Sequence, residues 1–379
     1  MTYIYADNAA TTRLSDAAFE AMKPYMLNEY GNASTLYKLG RSAHKAVENA
    51  RGVFAKGINA LPAEIYFTSG GTESDNWAIK GTAHRLAASG KKHIVTDNIE
   101  HHAVLNSAKA LEREGFEVTY VSSDKNGLVR AEDVAAAIRP DTALVSVMFA
   151  NNELGTIQPV AEIGSICRSE GVLFHCDAVQ AAGILPIDVK QMNIDLLSMS
   201  AHKFHGPKGV GIMYARRGCV PETYIDGGEQ ERGHRAGTEN VAGIVGAAAA
   251  FAEAMSERNE KTDRLCAMRD EIQSGLLKIP GSQVNGVSAP RLPGTLNMSF
   301  DGIDGQSLIF ELDLKGLAAS SGSACASGSV NPSHVLLALG LPYKLAHGSL
   351  RLSLGKYNTS DEAEMIVRIV SDTVAGLRG

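Results

Sequence analysis

The sequence is poor in the features that mark several classes of protein. Its five cysteines are odd in number and form no C-x-x-C pair, which argues against a disulfide framework or a zinc ribbon and predicts a reducing, cytoplasmic location. Lys and Arg total 36 against 42 Asp and Glu, so there is no basic excess to bind nucleic acid or an anionic membrane. The most apolar stretch, Val241 to Ala252, is shorter than the roughly 20 residues that span a bilayer. We therefore expect no nucleic-acid or membrane partner, and the first residues show no export signal.

Strand and helix patterns alternate between residues 64 and 214. Short β-branched runs alternate with Ala-rich amphipathic stretches, which is typical of a mainly parallel sheet covered by helices. The predicted strands are Glu64–Thr68, His93–Thr96, Glu117–Val121, Ala143–Phe149, Val172–Cys176, Asp195–Ser198 and Gly209–Tyr214. The predicted helices between them are Glu73–Ala88, Ala103–Glu114, Ala131–Ile138 and Val160–Glu170. In such a sheet, ligands bind at the carboxyl ends of the strands.

The pattern changes after a long helical stretch, Thr238–Lys278. Shorter pieces follow, and they are Thr295–Phe300, Leu317–Ser320, Ser349–Leu354 and a final amphipathic helix, Ser360–Leu377. We predict an α/β protein with a large domain over residues 15–255, built on a mainly parallel seven-stranded sheet. A smaller α+β domain would be formed by residues 1–14 and 256–379.

Three polar loops follow predicted strands. Residues 68–74 (TSGGTES) are small and open a helix, so their backbone N–H groups suit a phosphate, although an ordinary strand–helix turn would look the same. Asp177 ends an apolar strand, where a carboxylate needs a cation or a donor, unless it simply caps a turn. Lys203 lies in a tight loop beside Ser200 and His202, although most lysines are surface residues.

Together the three loops form a more specific pattern. An anion site, a carboxylate for a pyridinium nitrogen and an amine for a Schiff base are what pyridoxal 5′-phosphate (PLP) requires. From Tyr5-Ala6-Asp7-Asn8-Ala9-Ala10-Thr11-Thr12 to Arg351-Leu352-Ser353-Leu354, the chain resembles a fold-type I PLP-dependent transferase, and specifically a cysteine desulfurase of the NifS/IscS kind.

The resemblance assigns cofactor roles to individual residues. It implies that Lys203 bonds to the cofactor aldehyde, that Asp177 pairs with the ring nitrogen and that Gln180 binds the ring's phenolic oxygen. His101, in Glu100-His101-His102, would stack on the ring and move protons, and only the resemblance separates it from His102 or from a structural histidine. The residues that it assigns to the phosphate are Gly71, Thr72, Ser200, His202 and, from the neighbouring subunit of a homodimer, Thr238.

Two further motifs point to the substrate and the reaction. Arg351 resembles the family's clamp for the α-carboxylate of an amino acid, which a planar guanidinium suits, and a surface ion pair is the alternative. Asn152 would assist it and contact the cofactor, and Asn32 is a further candidate. The segment 320–329 (SSGSACASGS) has no bulk to pack a core, so we expect a mobile surface loop with Cys325 as an accessible nucleophile. The other four cysteines lie in apolar segments and are expected to be core thiols.

The resemblance implies a cysteine desulfurase that converts L-cysteine to L-alanine and a persulfide on Cys325, for iron–sulfur cluster assembly. A selenocysteine lyase on the same scaffold and a non-catalytic assembly subunit are the alternatives; an aminotransferase would need no loop cysteine. His101-His102 and His202-x-x-His205 lack further ligands at metal-site spacings, so we predict no metal. Residues 227–233 (GGEQERG) favour the nitrogen-fixation branch, and the chain lacks the longer carboxy-terminal tail of housekeeping relatives.

Overall fold

Three sheets and a set of covering helices make up the described part of the chain. The computed structural model describes residues 3–321 and 332–379. The strands are β1 (Ile4–Tyr5), β2 (Ile65–Thr68), β3 (His93–Asp97), β4 (Glu117–Val121), β5 (Thr142–Ser146), β6 (Leu173–Asp177), β7 (Leu196–Ser200), β8 (Gly211–Ala215), β9 (Ser282–Val284), β10 (Thr295–Phe300), β11 (Leu317–Ala318) and β12 (Ser349–Ser353). The helices are α1 (Asp16–Leu27), α2 (Lys38–Gly57), α3 (Gly71–Asn76), α4 (Thr82–Ala87), α5 (His102–Arg113), α6 (Ala131–Ala137), α7 (Val160–Glu170), α8 (Val241–Ser256), α9 (Arg258–Leu276), α10 (Gly305–Leu314), α11 (His334–Ala338), α12 (Tyr343–His347) and α13 (Glu362–Arg378). A π turn joins α3 to α4. No helix of these ranges is long and apolar enough to cross a membrane.

The larger sheet has seven strands in the order β2-β8-β7-β6-β5-β3-β4. Strand β8 is antiparallel to both of its neighbours, and the other pairs are parallel. Every residue of β3, β5, β7 and β8 is buried, because helices cover both faces of the sheet. The predicted seven-stranded, mainly parallel sheet is confirmed.

The register of β6 and β7 brings the polar loops together. Asp177, the last residue of β6, pairs with Ser198 of β7, and β7 runs two residues further to Ser200. A 3₁₀ turn, Ala201–Lys203, follows directly. Two parallel neighbours end at the same edge, so the side chains that follow them meet there, as the sequence indicated.

The long helical stretch predicted over 238–278 is two helices, with the break at Glu257. Helix α8 packs against α1 and α2 beside the large sheet, whereas α9 packs against α13. The apolar faces of α8 and α9 are therefore buried in different cores. We infer that this packing, and not helix propensity, ends α8. Helix α8 approaches α1 closely because residue 246 is glycine: a Cβ there would lie 2.4 Å from Cγ of Met22.

A second apolar core lies around the three-stranded antiparallel sheet β12-β10-β9. It includes Ile4 and Ala6 from the amino-terminal segment together with residues of α9, α10 and α13. Strand β1 enters this region by pairing in parallel with β11. Residues Val335 and Leu336 of α11 instead pack in the core of the large sheet. The division into residues 15–255 and 1–14 with 256–379 stays a prediction, and these two cores support it for all but α11 and α12.

Phe54 of α2 lies at the centre of the larger core. Its side chain is fully buried, and its ring centroid is 5.0 Å from that of Phe251 on α8 and 6.1 Å from that of Phe67 on β2. It thereby fastens two helices to the sheet. A smaller residue would leave a cavity with neighbours from three elements that cannot all collapse into it.

We predict that Phe54→Ala lowers the free energy of unfolding by about 3–5 kcal/mol, because burial is lost and a cavity remains. Chemical denaturation followed by circular dichroism measures the change. The matched control is Phe310→Ala on α10, where the ring is 63% exposed and its removal should cost less than about 0.5 kcal/mol. Equal losses for the two variants would contradict the central position of Phe54.

Candidate active site

A cavity of about 510 Å³ lies at the carboxyl edge of the larger sheet. Its walls come from the amino-terminal segment, the start of α3, the loops after β5, β6 and β7, the start of α5, and β12. The residues that line it are Ala9, Ala10, Gly71, Thr72, Asp75, His101, Met148, Ala150, Asn152, Asp177, Val179, Gln180, Ser200, His202, Lys203 and Arg351. Most of the side chains predicted from the sequence thus meet in one place.

Lys203 is held at the floor of the cavity by the amino-terminal segment. Its Nζ donates hydrogen bonds to the carbonyl oxygens of Ala9 and Ala10, at 2.8 Å for Ala10. Nε2 of Gln180 donates to the same Ala9 carbonyl at 3.1 Å. The amine therefore stands inside the cavity and not at the surface, so the surface-lysine interpretation is excluded.

Asp177 and His101 lie at the acidic end of the cavity. The Asp177 carboxylate accepts a hydrogen bond from Val179 N at 2.9 Å, and burial raises its pKa to about 6 although Lys203 opposes the shift. His101 caps α5 by accepting from Ala103 N at 3.1 Å. Burial, assisted by the charge of Lys203, lowers the pKa of His101 to about 4, so its imidazole is neutral at pH 7. His102 is exposed, so the structure separates the two histidines that the sequence left together.

Small residues and hydrogen-bond donors gather at the other end of the cavity. Gly71 and Thr72 begin α3, Ser200 ends β7, and His202 lies between Ser200 and Lys203. Nδ1 of His202 lies 3.1 Å from Oγ1 of Thr11, and burial lowers the pKa of His202 to about 4. Backbone N–H groups, hydroxyls and a neutral imidazole can bind an anion through hydrogen bonds.

Arg351 of β12 reaches the cavity with its side chain almost fully buried. Its Nη2 pairs with Asp7 Oδ1 at 2.7 Å, and its Nη1 donates to the backbone carbonyl of Asn152 at 3.0 Å. Within the described residues Arg351 Nε has no hydrogen-bond partner although it is buried. A buried guanidinium with an unused donor is suited to an incoming carboxylate. Arg351 is therefore not a surface ion pair.

Among the described residues, two predicted site residues, Asn32 and Thr238, do not line this cavity. Asn32 is exposed, and its side chain accepts from Ser34 N at 2.9 Å. Thr238 is also exposed, in a segment tied to α3 by a 2.7 Å ion pair between Arg235 Nε and Glu73 Oε1. Cys325 lies outside the described residues.

The remaining cysteines agree with a structural role. Cys167, Cys176 and Cys219 are buried, and Cys266 is partly exposed. Burial raises the pKa of Cys167 to about 12 and that of Cys176 well above its usual range. A thiol that stays protonated is a poor nucleophile.

The sequence analysis missed several buried acids around the cavity. Asp75 is 1% exposed, and Asp97 and Glu100 are fully buried where β3 meets α5. Asp75 could have been found, because it follows Gly71 by four residues and so shares its face of the helix. One side-chain atom from each of Asp75, His101 and Asp177 lies within 4.8 Å of the other two, a spacing that a metal ion could also use.

The comparisons with known proteins agree with this geometry. The aminotransferase class-V family model matches residues 4–366. A cysteine desulfurase IscS of Methanosarcina thermophila is 51% identical over 375 residues, which are 99% of this chain and 93% of that protein. A solved NifS-like protein superposes with a TM-score of 0.93 at 40% identity, covering 99% of this chain and 100% of that one. A solved structure described as SspA in complex with cysteine is 36% identical with a TM-score of 0.83, covering 94% of this chain and 100% of that one.

The fold and the cavity are those of a fold-type I PLP-dependent enzyme. The chain belongs to the aminotransferase class-V family, and its relatives are NifS- and IscS-like cysteine desulfurases.

The cavity fits the cofactor of this family, PLP. Its acidic end offers a buried carboxylate, Asp177, to a cationic ring nitrogen. Lys203 would supply an amine to the aldehyde, and Thr72 and Ser200, which line the same cavity, would supply hydrogen-bond donors to the phosphate. The excess of buried carboxyl groups at one end is itself an argument for a cation, because uncompensated charge is costly there.

Glu153 links the cavity wall to α11. It is 4% exposed, and its Oε2 accepts a hydrogen bond from Oγ of Ser333, the residue that caps α11. Burial raises the pKa of Glu153 from 4.5 to about 7, although Ser333 and Arg351 oppose the shift. The folded protein therefore binds more protons at this residue than the unfolded chain does between about pH 5 and pH 7, and stability falls as the pH rises through that range.

We predict that Glu153→Gln flattens part of this pH dependence. The variant lacks the titrating group, so its free energy of unfolding should fall by on the order of 3 kcal/mol less than that of the wild type between pH 5 and pH 8. Denaturant titrations at several pH values measure the difference. Glu132→Gln on the exposed face of α6 is the control and should follow the wild type. Parallel profiles for wild type and Glu153→Gln would refute the raised pKa.

Proposed function

We propose that this protein is a PLP-dependent cysteine desulfurase, which converts L-cysteine to L-alanine and leaves the sulfur as a persulfide on Cys325. The observation that carries the proposal is the single cavity that holds an amine, Lys203, a ring-facing acid, Asp177, and a buried carboxylate clamp, Arg351. The names of the relatives point to the same activity, and that of the solved SspA complex to the same substrate. PLP at this cavity would withdraw electrons from the substrate's α-carbon.

The chain's own residues would hold the cofactor in a fixed orientation. Asp177 would keep the ring nitrogen protonated, Gln180 would bind the phenolic oxygen, and His101 would cover the ring. Gly71, Thr72, Ser200 and His202 would bind the phosphate, with His202 already fixed by Thr11. A neutral His101 can accept or donate a proton without bringing a second positive charge near Lys203.

Lys203 would have two tasks. Its amine would bond to the cofactor until the substrate's amino group replaces it, and Nζ would then remove the substrate's α-proton. The carbonyl oxygens of Ala9 and Ala10, which accept from Nζ in the described structure, give the displaced amine a defined position. Such positioning lowers the entropic cost of proton transfer.

Arg351 would fix the substrate by its α-carboxylate. The ion pair with Asp7 and the bond to the Asn152 carbonyl hold the guanidinium plane in place, and Nε has no hydrogen-bond partner among the described residues. Asn152 would assist this clamp from the loop after β5. Asn32 remains a further candidate for substrate contact, from a position outside the cavity of a single chain.

Cys325 would accept the sulfur. Its thiolate attacks the sulfur of the substrate, an S–S bond forms, the C–S bond breaks, and the carbon keeps the electron pair and is protonated to alanine. The described residues on either side support this assignment. Ser320 pairs with Arg351 through the backbone, and the His334 ring centroid lies 4.7 Å from that of His102 at the start of α5.

We also propose a cytoplasmic homodimer in which Thr238 binds the phosphate in the partner subunit's site. The exposed position of Thr238 supports this arrangement, as do the apolar side chains exposed on α1 and on the segment that joins it to α2. These side chains are Phe19, Met26, Leu27, Tyr30, Leu36 and Tyr37. The sulfur acceptor would be an iron–sulfur scaffold protein, and the nitrogen-fixation role remains part of this proposal.

A selenocysteine lyase is the alternative on the same cavity, because Arg351 and Lys203 would serve both amino acids equally. Such an enzyme would release selenium from selenocysteine much faster than sulfur from cysteine, and would not need Cys325. A non-catalytic assembly subunit is disfavoured, because Lys203 is placed inside the cavity with its amine held in position.

The first test concerns the cofactor. Borohydride reduction of the wild-type holoenzyme should leave one cofactor adduct per chain, which peptide mass spectrometry maps to Lys203. Lys203→Ala should lose this adduct and the visible absorbance of the bonded cofactor, because no other amine takes its place. Lys208→Ala, an exposed residue of the same loop, is the control and should keep both. Absorbance that survives in Lys203→Ala would reject the cofactor assignment.

The second test concerns the sulfur. Brief exposure of the holoenzyme to L-cysteine should add one sulfur atom at Cys325, seen by mass spectrometry, and produce alanine. Cys325→Ser should retain the cofactor but lose at least about 100-fold in alanine production, since the nucleophile is gone. Cys266→Ser is the control, because among the described residues Cys266 is the cysteine that is not buried. Undiminished turnover by Cys325→Ser would favour the lyase alternative.

A further inference from the structure

Asp75 is a buried carboxyl group with no part in the function described so far. It lies on α3, one turn after the small residues at the phosphate end, yet its side chain faces the acidic end of the cavity. It is 1% exposed, and its Oδ1 has no hydrogen-bond partner among the described residues. A side-chain oxygen of Asp75 lies within 4.8 Å of one from Asp177. The cavity therefore presents two carboxyl groups, not one, where the ring nitrogen is expected.

The neighbour that could neutralise Asp75 is not charged. Nε2 of His175 lies 3.6 Å from Asp75 Oδ1, but the ring is fully buried and is held by the hydroxyls of Ser146, at 2.8 Å, and Ser198, at 3.0 Å. Burial lowers the pKa of His175 to about 3. His175 of β6 is therefore neutral and bonds to hydroxyls of β5 and β7, so it offers no positive charge to Asp75.

The nearest further acids add buried carboxyl groups and no counter-charge to the pair. Asp97 and Glu100 are buried between β3 and α5 and interact electrostatically with each other. Glu100 also interacts electrostatically with Asp75 and Asp177. His101 is neutral at pH 7, and Lys203 acts on Asp177 as a counter-charge. Burial and the charge of Asp177 raise the pKa of Asp75 well above its usual range. A cation placed between the two carboxyl groups would remove this penalty.

We propose that Asp75 is a positioning residue that acts through Asp177, and that the two carboxyl groups form one anionic pair that keeps the cofactor's ring nitrogen protonated. This inference deepens the proposed function and rests on it. Two negative charges bind one buried cation more firmly than a single one does, so the proton on the ring nitrogen is harder to remove. The fully buried side chain also keeps water from competing for that proton.

The pair also has a geometric role. Val179 N donates to one oxygen of Asp177, which fixes that carboxylate from the loop side. Asp75 belongs to α3, whose first residues are those that bind the phosphate in the proposed function. Helix α3 would thus fix the positions of both the phosphate and the ring nitrogen of the cofactor, because residues at its start and one turn later would lie beside the two groups.

The test uses holoenzyme loaded with PLP that carries ¹⁵N at the ring nitrogen. The ¹⁵N chemical shift reports directly whether the ring is protonated, and it is followed from about pH 6 to pH 10. In Asp75→Asn, an isosteric change, the ring should lose its proton at least about one pH unit lower than in the wild type. Cofactor dissociation from the variant should become faster over the same alkaline range.

A matched control removes an equal charge elsewhere. Asp133→Asn on the exposed face of α6 should titrate as the wild type does. If Asp75→Asn does not fold, Asp75→Ser replaces it and should shift the titration in the same direction. Unchanged ring titration in the Asp75 variants would overturn this inference alone. A wild-type protein that binds no PLP would instead overturn the proposed function.

Discussion

A cluster of buried carboxyl groups at the carboxyl edge of the larger sheet is the constraint on which the site depends. Asp75, Asp97, Glu100 and Asp177 stand there with little solvent, and burial raises the pKa of each of them. Such a cluster is tolerated in a fold only where protons or a cation offset it. The carboxyl groups would favour the cationic part of a ligand, and the donors at Thr72 and Ser200 would favour its anionic part. A ligand that carries both charges would therefore bind in one orientation.

The amino-terminal segment joins the two cores to the site. Ile4 and Ala6 pack in the smaller core, while the carbonyls of Ala9 and Ala10 contact Lys203 beside the larger sheet. Asp7 lies between them and pairs with Arg351. A few consecutive residues thus position both Lys203 and Arg351, so this motif would contribute to the proposed function without supplying a reacting group itself.

The sequence predicted the larger sheet and most of the cavity well, because parallel strands bring the residues that follow them to one edge. This rule is sufficient to place Asp177, Ser200 and Lys203 at the cavity. Asp75, in contrast, is indicated only by its helical spacing of four residues from Gly71, because the residue type alone does not distinguish a side chain that faces solvent from one that faces the cavity. The break at Glu257 was also missed, since it depends on which core each half of the stretch contacts.

The pairing of β1 with β11 joins residues more than 300 positions apart in the chain. A ribosome delivers Ile4 first and Leu317 much later, so the amino-terminal strand has no native partner during most of translation. The first strand of the chain therefore completes its pairing only after residue 317 has been synthesised, whereas Ala9 and Ala10 contact residues that precede 206.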